Sequence, residues 1–447
     1  MYILTNGRLI TRDPDGKGYY EKGAVAYEGS KIVEVGEEAA LTAKYPQAEK
    51  IDAKGGVIMP AFINAHTHSY SALARGLSIV GNNPTNFFEV LDGTWWAIDR
   101  HLTLEGTRAS ADALYIDCIK QGVTTIFDHH ASYCQIPGSL FQIGESAKKF
   151  GIRSCLCYEV SDRDGEEKCL EAIRENADWI AYCQEHKDPM LAAMFGGHAL
   201  FTISDKTFDR MVEANNGRTG YHIHVSEGMN DVYDSLQNYG RRPVQRLQDH
   251  GILGEKTILG HCIHVNTAEM EIIKETGTMV VNNPESNMGN AIGICPVLQL
   301  YKRGILLGMG TDAYTNDMLE SLKVALCSQR SQNCLPNVGW CEVTDMLFKN
   351  NARIGAKYFP DQLGVLKAGA AADIIVMDYK PFTPFSDENI DGHMIFGMTG
   401  RQCQTTIAAG KLLMKDRKLV GIDEEAENAH ILEASKKLWG SLNHREY

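Results

Sequence analysis

Between residues 56 and 314, short apolar segments alternate with longer segments of helical periodicity. This alternation is typical of β–α units arranged around a parallel sheet. Eight such units in roughly 260 residues predict an α/β fold, a TIM (β/α)8 barrel, with functional side chains at the C-terminal ends of its strands. The eight predicted strands are 57–68, 123–128, 153–160, 190–199, 220–226, 257–265, 278–283 and 305–312.

The two ends of the chain have a different pattern. Up to about residue 54, short β-type segments are separated by turn sequences such as Asn6-Gly7. β-type segments return at 372–377 and 405–413, and a terminal helix is predicted from about residue 424. We expect both ends to join in a small β-sandwich. The predicted division is 1–58 and 361–447 for the sandwich and terminal helix, and 59–360 for the barrel.

Composition narrows the class of protein. Hydrophobic residues make up 44% of the chain and charged residues 23%, which is ordinary for a globular protein. The net charge of −13 argues against nucleic acid or an acidic membrane surface as the main partner. No signal sequence or membrane-length apolar run is visible, and the 12 cysteines form no CxxC pair. We therefore expect a cytoplasmic protein with reduced thiols.

The first predicted strand ends in His66-Thr67-His68. Residues two apart on a strand point to the same side, so these two imidazoles make half of a metal site. Short matches of this kind are common by chance, and the pair alone does not establish a site.

Other strand ends carry residues of the same type. The fifth strand ends in His222-Ile223-His224 and is followed by Glu227, the sixth contains His261, and the eighth ends at Asp312. Zinc and ferrous iron favour imidazole nitrogen with a carboxylate and an open position for water. The strand ends therefore predict a metal-dependent hydrolase.

Three further histidines have alternative interpretations. His222 shares a face with His224 and is its rival as a metal ligand, but it points one layer deeper into the barrel, which favours a structural role or a role in orienting a ligand. His129 and His130 follow the second strand and lie either at the barrel mouth or on the surface.

The ordered motifs PAFINAHTH, HVSE, GHC and TDAYTND resemble the amidohydrolase superfamily. Within it, the chain is similar to the branch of chlorohydrolases, guanine and cytosine deaminases and related aminohydrolases. Residues 363–374 resemble the strand entry that follows the barrel in this family, and the likeness covers essentially the whole chain. Residues 95–100 and 196–201 also resemble one group of aminohydrolases.

The resemblance implies specific roles. It implies metal ligation by His66, His68, His224 and Asp312, and catalytic roles for Glu227, His261 and Asp312. Glu227 would shuttle a proton to the substrate ring, His261 would lie beside the attacking water, and Asp312 would also act as a base. His198, Trp95 and Asn316 are the candidates for substrate binding.

The fourth predicted strand contains no lysine, the residue that bridges two metals in superfamily members. One divalent ion is therefore expected, with zinc favoured over iron. We expect a homodimer acting on a small molecule, without nucleic-acid or membrane partners.

The resemblance favours deamination of a planar cyclic amidine, such as a heterocycle of purine catabolism. Asn282 stands where a histidine is usual, so guanine or chlorotriazine specificity does not transfer directly. Hydrolysis of a ring amide or carbon–halogen bond is the alternative, and a non-catalytic scaffold is a third hypothesis.

Overall fold

The computed structural model describes residues 1–447, and its strands form three sheets. The strands are β1 (Tyr2–Ile10), β2 (Tyr19–Glu28), β3 (Lys31–Glu37), β4 (Glu49–Asp52), β5 (Val57–Pro60), β6 (Phe62–Thr67), β7 (Val123–His130), β8 (Arg153–Tyr158), β9 (Leu191–Ala193), β10 (Phe195–Ala199), β11 (Tyr221–Val225), β12 (Ile258–His261), β13 (Met279–Asn282), β14 (Leu307–Met309), β15 (Ile374–Met377), β16 (Cys403–Ala408), β17 (Lys411–Lys415) and β18 (Lys418–Leu419).

Helices separate most of these strands, and their ends follow local capping rules. Asn266 and Glu269 form a capping box at the start of α10, and Gly122 ends α4 with a φ of 79°. The helices are α1 (Glu38–Lys44), α2 (Phe87–Val90), α3 (Trp96–Asp99), α4 (Leu104–Gln121), α5 (Ser139–Phe150), α6 (Glu166–His186), α7 (Asp205–Asn215), α8 (Met229–Tyr239), α9 (Pro243–Asp249), α10 (Thr267–Glu275), α11 (Pro284–Gly289), α12 (Val297–Lys302), α13 (Met318–Asn333), α14 (Trp340–Asp345), α15 (Asn351–Gly355), α16 (Ile390–Gly397) and α17 (Glu424–Asn443).

Two parallel sheets carry the central region. One has the order β6-β7-β8-β9 and the other β10-β11-β12-β13-β14. All residues of β7, β8 and β11 are buried, as expected for strands covered on both faces. Isolated parallel bridges at Thr67–Asp312 and Val160–Gly197 link the two sheets. The C-terminal ends of these strands therefore lie on one side of the region.

Two of the predicted strands are each divided in the structure. The segment 57–68 breaks at Ala61, where β5 pairs with β1 and β15 while β6 pairs with β7. The segment 190–199 breaks at Met194, where β9 pairs with β8 and β10 with β11. At Gly196 a Cβ atom would lie 2.2 Å from the Tyr158 carbonyl oxygen, so the close approach of β10 to the end of β8 requires glycine.

The third sheet combines both ends of the chain. Its order is β18-β17-β16-β15-β5-β1-β2-β3, with β4 on β1, and β15 lies antiparallel to β5. The buried Arg153 guanidinium at the start of β8 pairs with Asp373, just before β15, and so ties this sheet to the parallel strands. The terminal helix α17 packs against α4. No helix has the length and apolar composition of a membrane span.

Candidate active site

Four side chains from three strand ends meet at one point. His66 and His68 come from the end of β6, His224 from β11, and Asp312 follows β14. Their ligand atoms lie within 4.8 Å of one another, and all four residues are buried. His68 Nε2 lies 2.7 Å from Asp312 Oδ1 and 3.3 Å from His224 Nε2. The structure thus brings together all four predicted ligands.

Backbone carbonyls fix the tautomers of two of these imidazoles. His68 Nδ1 donates to the carbonyl of His129, and His224 Nδ1 donates to that of His198 over 2.8 Å. A carbonyl only accepts, so both Nδ1 atoms carry hydrogen, and in the neutral imidazoles both Nε2 atoms present lone pairs. Two such lone pairs beside the Asp312 carboxylate repel one another unless a proton on His68 or a metal ion lies between them. The Asp312 charge raises the pKa of His68 against the effect of burial.

His66 completes the set. Its Nδ1 lies 2.8 Å from His222 Nε2, whereas its own Nε2 is buried without a hydrogen-bond partner. The position of His222 agrees with the predicted role in orienting a ligand. Three imidazole nitrogens and one carboxylate suit a divalent transition metal, and neither β9 nor β10 contributes a lysine.

Glu227, His261 and Asp312 form a second cluster that shares Asp312 with the first. His261 Nε2 lies 3.6 Å from Glu227 Oε1 and 3.9 Å from Asp312 Oδ2, and its Nδ1 donates to Asn287 over 2.7 Å. Burial, reinforced by the Asp312 charge, raises the pKa of Glu227 well above its usual range. The Glu227 side chain is 14% exposed. The raised pKa favours the protonated carboxyl, and the exposure lets a ligand in the cavity reach it.

A cavity opens onto both clusters, reaching His68, His224 and Asp312 of the first and Glu227 of the second. The predicted substrate residues His198 and Trp95 line it, together with Trp96 and Glu159. Burial lowers the pKa of His198 to about 3, against the opposing effect of Glu159, so its imidazole is neutral.

Asn316, the third predicted substrate residue, does not line this cavity. Its amide contacts Asn64 at 3.3 Å and donates to Asp117 over 3.1 Å. These two contacts hold the Asn316 side chain outside the cavity, although its position after β14 predicts a place at the substrate site.

The sequence patterns predicted no role for Glu159. For His129 they left two interpretations, a place at the barrel mouth or on the surface. Both are buried, and His129 Nδ1 lies 3.0 Å from Glu159 Oε1. His130 is also fully buried, so neither histidine is a surface residue. Glu159 lies one residue beyond the end of β8, and this position could have marked it as a candidate. The predicted strand 153–160 was longer than β8 and therefore placed Glu159 inside the strand.

Residues 57–413 match the amidohydrolase family, which is most of the chain. The chain belongs to that family. Residues 23–48 also match the imidazolonepropionase-like composite domain of bacteria. Family membership confirms the prediction of a hydrolase of carbon–nitrogen bonds in the aminohydrolase branch.

Similar proteins span nearly the whole chain. The 5′-deoxyadenosine deaminase of Methanosarcina mazei is 30% identical over 99% of both chains. The 5-methylthioadenosine/S-adenosylhomocysteine deaminase of Thermococcus sibiricus is 31% identical over 88% of this chain and 90% of its own. An adenosine deaminase from Xanthomonas campestris, solved with bound zinc, superposes with a TM-score of 0.85 at 22% identity over 98% of both chains.

Proposed function

We propose that the protein is a metal-dependent deaminase that hydrolyses the exocyclic amino group of a purine-like cyclic amidine. The observation that carries the proposal is the shared Asp312, through which the metal-type cluster adjoins Glu227 and His261, with Asp312 and Glu227 lining one cavity. Such an arrangement brings a water site, a base and a proton donor to one substrate carbon.

His66, His68, His224 and Asp312 would hold one divalent ion, and zinc is favoured by the nitrogen-rich donor set. Such an ion lowers the pKa of coordinated water from about 15.7 towards about 7. The orphaned Nε2 of His66 and the facing lone pairs of His68 and His224 support this assignment.

The remaining steps belong to side chains of the protein. Glu227 donates its proton to the ring nitrogen beside the attacked carbon, and Asp312 accepts the proton that the attacking water releases. That proton passes to the amino group, which then leaves as ammonia, while the proton remaining on the new hydroxyl returns to Glu227 as the carbonyl forms. His261 lies near both carboxyl groups, and because its Nδ1–H is donated to Asn287, its Nε2 would accept a hydrogen bond from the attacking water and orient it.

The adenosine-type names of the relatives support a purine carrying a 6-amino group as the substrate. His198 and the Trp95 ring line the cavity and would hold its planar heterocycle. Bridges at Thr67–Asp312 and Val160–Gly197 also support our proposal that the two parallel sheets close into one (β/α)8 barrel, with a sandwich formed by the chain ends.

Elemental analysis and an ammonia-release screen test the function. Protein produced with zinc and iron available should contain about one ion per chain. It should release ammonia from adenosine, 5′-deoxyadenosine or a related 6-aminopurine. Ion-loaded protein that releases ammonia from no aminopurine, pterin or pyrimidine would refute the proposed activity.

A further inference from the structure

Glu159 contributes an acceptor atom to the cavity. His129 Nε2 lies 3.0 Å from the His222 carbonyl, which only accepts, so this nitrogen carries hydrogen. His129 Nδ1 lies 3.0 Å from Glu159 Oε1. One proton on that contact satisfies both atoms, whether it resides on the imidazole or the carboxyl. In either case Glu159 Oε2 carries no proton and remains an acceptor.

His198 contributes a second acceptor. Its Nδ1 lies 2.8 Å from Thr202 Oγ1, and the Thr202 hydroxyl donates its only hydrogen to the Ala199 carbonyl over 3.0 Å. Thr202 therefore accepts from His198 Nδ1–H, and His198 Nε2 presents a lone pair. This tautomer pairs the Ala199 carbonyl as well as both side chains, whereas the opposite one takes the Thr202 donor away from that carbonyl.

The two acceptors face each other across 3.9 Å, and neither receives a hydrogen bond from the protein. Glu159 and His198 are 2% and 5% exposed, and both line the catalytic cavity. Two facing acceptors without a donor are unfavourable, so the site lacks donors that a ligand can supply. We propose that Glu159 Oε2 and His198 Nε2 form a substrate subsite that binds a group with two hydrogen-bond donors.

This inference rests on the proposed function for the identity of the ligand. In a purine-like substrate, two donors come either from the two ribose hydroxyls or from a ring N–H with a second amino group. Both sources share the same donor chemistry. A phosphate or carboxylate offers acceptors to this pair and should bind poorly there.

Calorimetric titration of the zinc-loaded protein, carried out in the Glu227→Gln background so that ligands are not turned over, tests the subsite separately from activity. In one arm adenosine is compared with 2′,3′-dideoxyadenosine, which lacks both ribose hydroxyls. In the other, 2,6-diaminopurine is compared with 9-methyladenine, which lacks the ring N–H and the second amino group. We expect the two-donor ligand to bind about 10- to 100-fold more tightly in one arm. That arm identifies the source of the donors.

Two variants assign the effect to these residues. Glu159→Gln places an amide donor at the acceptor position, so the Kd ratio should collapse towards one while elemental analysis still finds one ion. Thr202→Val frees the His198 tautomer and should reduce the same ratio several-fold. Thr344→Val is the matched control, because its hydroxyl also donates to a carbonyl but lies on α14, outside the cavity.

Equal Kd values within both arms would overturn the proposal, as would a Glu159→Gln protein with an unchanged Kd ratio. Selective binding together with a wild-type protein that releases no ammonia from any ligand would refute the deaminase function while supporting the subsite. Ammonia release with equal Kd values in both arms would support the deaminase function and refute the subsite.

Discussion

Replacing Glu227 by glutamine tests the proton donor with little change of shape. Glu227 Oε1 lies 3.6 Å from His261 Nε2, beyond a normal hydrogen bond, so the amide loses no strong contact. Glu227 is also not among the four residues of the metal-type cluster. We therefore expect Glu227→Gln to fold, to retain one ion per chain and to bind substrate with a nearly unchanged KM.

The expected loss lies in kcat. Proton transfer by a positioned side chain contributes about 10²- to 10⁴-fold to a rate. This range corresponds to about 3–5 kcal/mol at about 1.4 kcal/mol per decade. Asp312, the other carboxyl of the cluster, does not replace that proton, because the neighbouring histidines lower its pKa against the effect of burial.

Steady-state ammonia release with matched metal analysis measures the effect. Glu285→Gln is a suitable control, because this half-buried carboxyl bonds Ser321 and does not line the cavity. The control should keep activity close to that of the wild type. Full activity of Glu227→Gln, or a loss caused only by missing metal, would refute the assignment of Glu227 as proton donor.

Three further substitutions probe the site and the fold. His66→Ala should lose both ion and turnover, which elemental analysis and ammonia release would report. His222→Phe removes the partner of His66 Nδ1 and should weaken metal affinity about 10- to 100-fold, measured by competition with a chelator. Asp373→Ala leaves the buried Arg153 guanidinium with only one carboxylate contact, Asp361 at 3.5 Å, and should destabilise the fold by about 3 kcal/mol, the lower end for a broken buried pair, measured by urea unfolding. An unchanged metal affinity of His222→Phe in chelator competition, or an unaltered unfolding midpoint in Asp373→Ala, would contradict these expectations.

The convergence of His66, His224 and Asp312 could be predicted because it depends on local patterns. Strand periodicity gives the side to which a residue points, and parallel strands bring their C-terminal ends to one edge. The structure places these three side chains together although they are far apart in sequence. Their roles as ligands stay predictions until metal is measured.

Residues that depend on long-range contacts were harder to find. Asn316 follows a strand end, as Asp312 does, but its contacts with Asn64 and Asp117 keep it outside the cavity. Glu159 is one acidic residue among 57, and nothing in the local sequence marks its contact with His129. Such contacts come from neighbouring strands whose relative position is not encoded in a short motif.

The backbone at residues 129 and 198 shows why side-chain patterns alone cannot define this site. Each carbonyl fixes the tautomer of a metal-type histidine on the adjacent strand, His68 or His224. The side chains at the same two positions contribute instead to the acceptor pair at Glu159 Oε2 and His198 Nε2. A carbonyl is present whatever the residue, so substitution at 129 or 198 can alter substrate recognition while the ligand tautomers persist. Metal binding and substrate choice can therefore diverge separately on this scaffold.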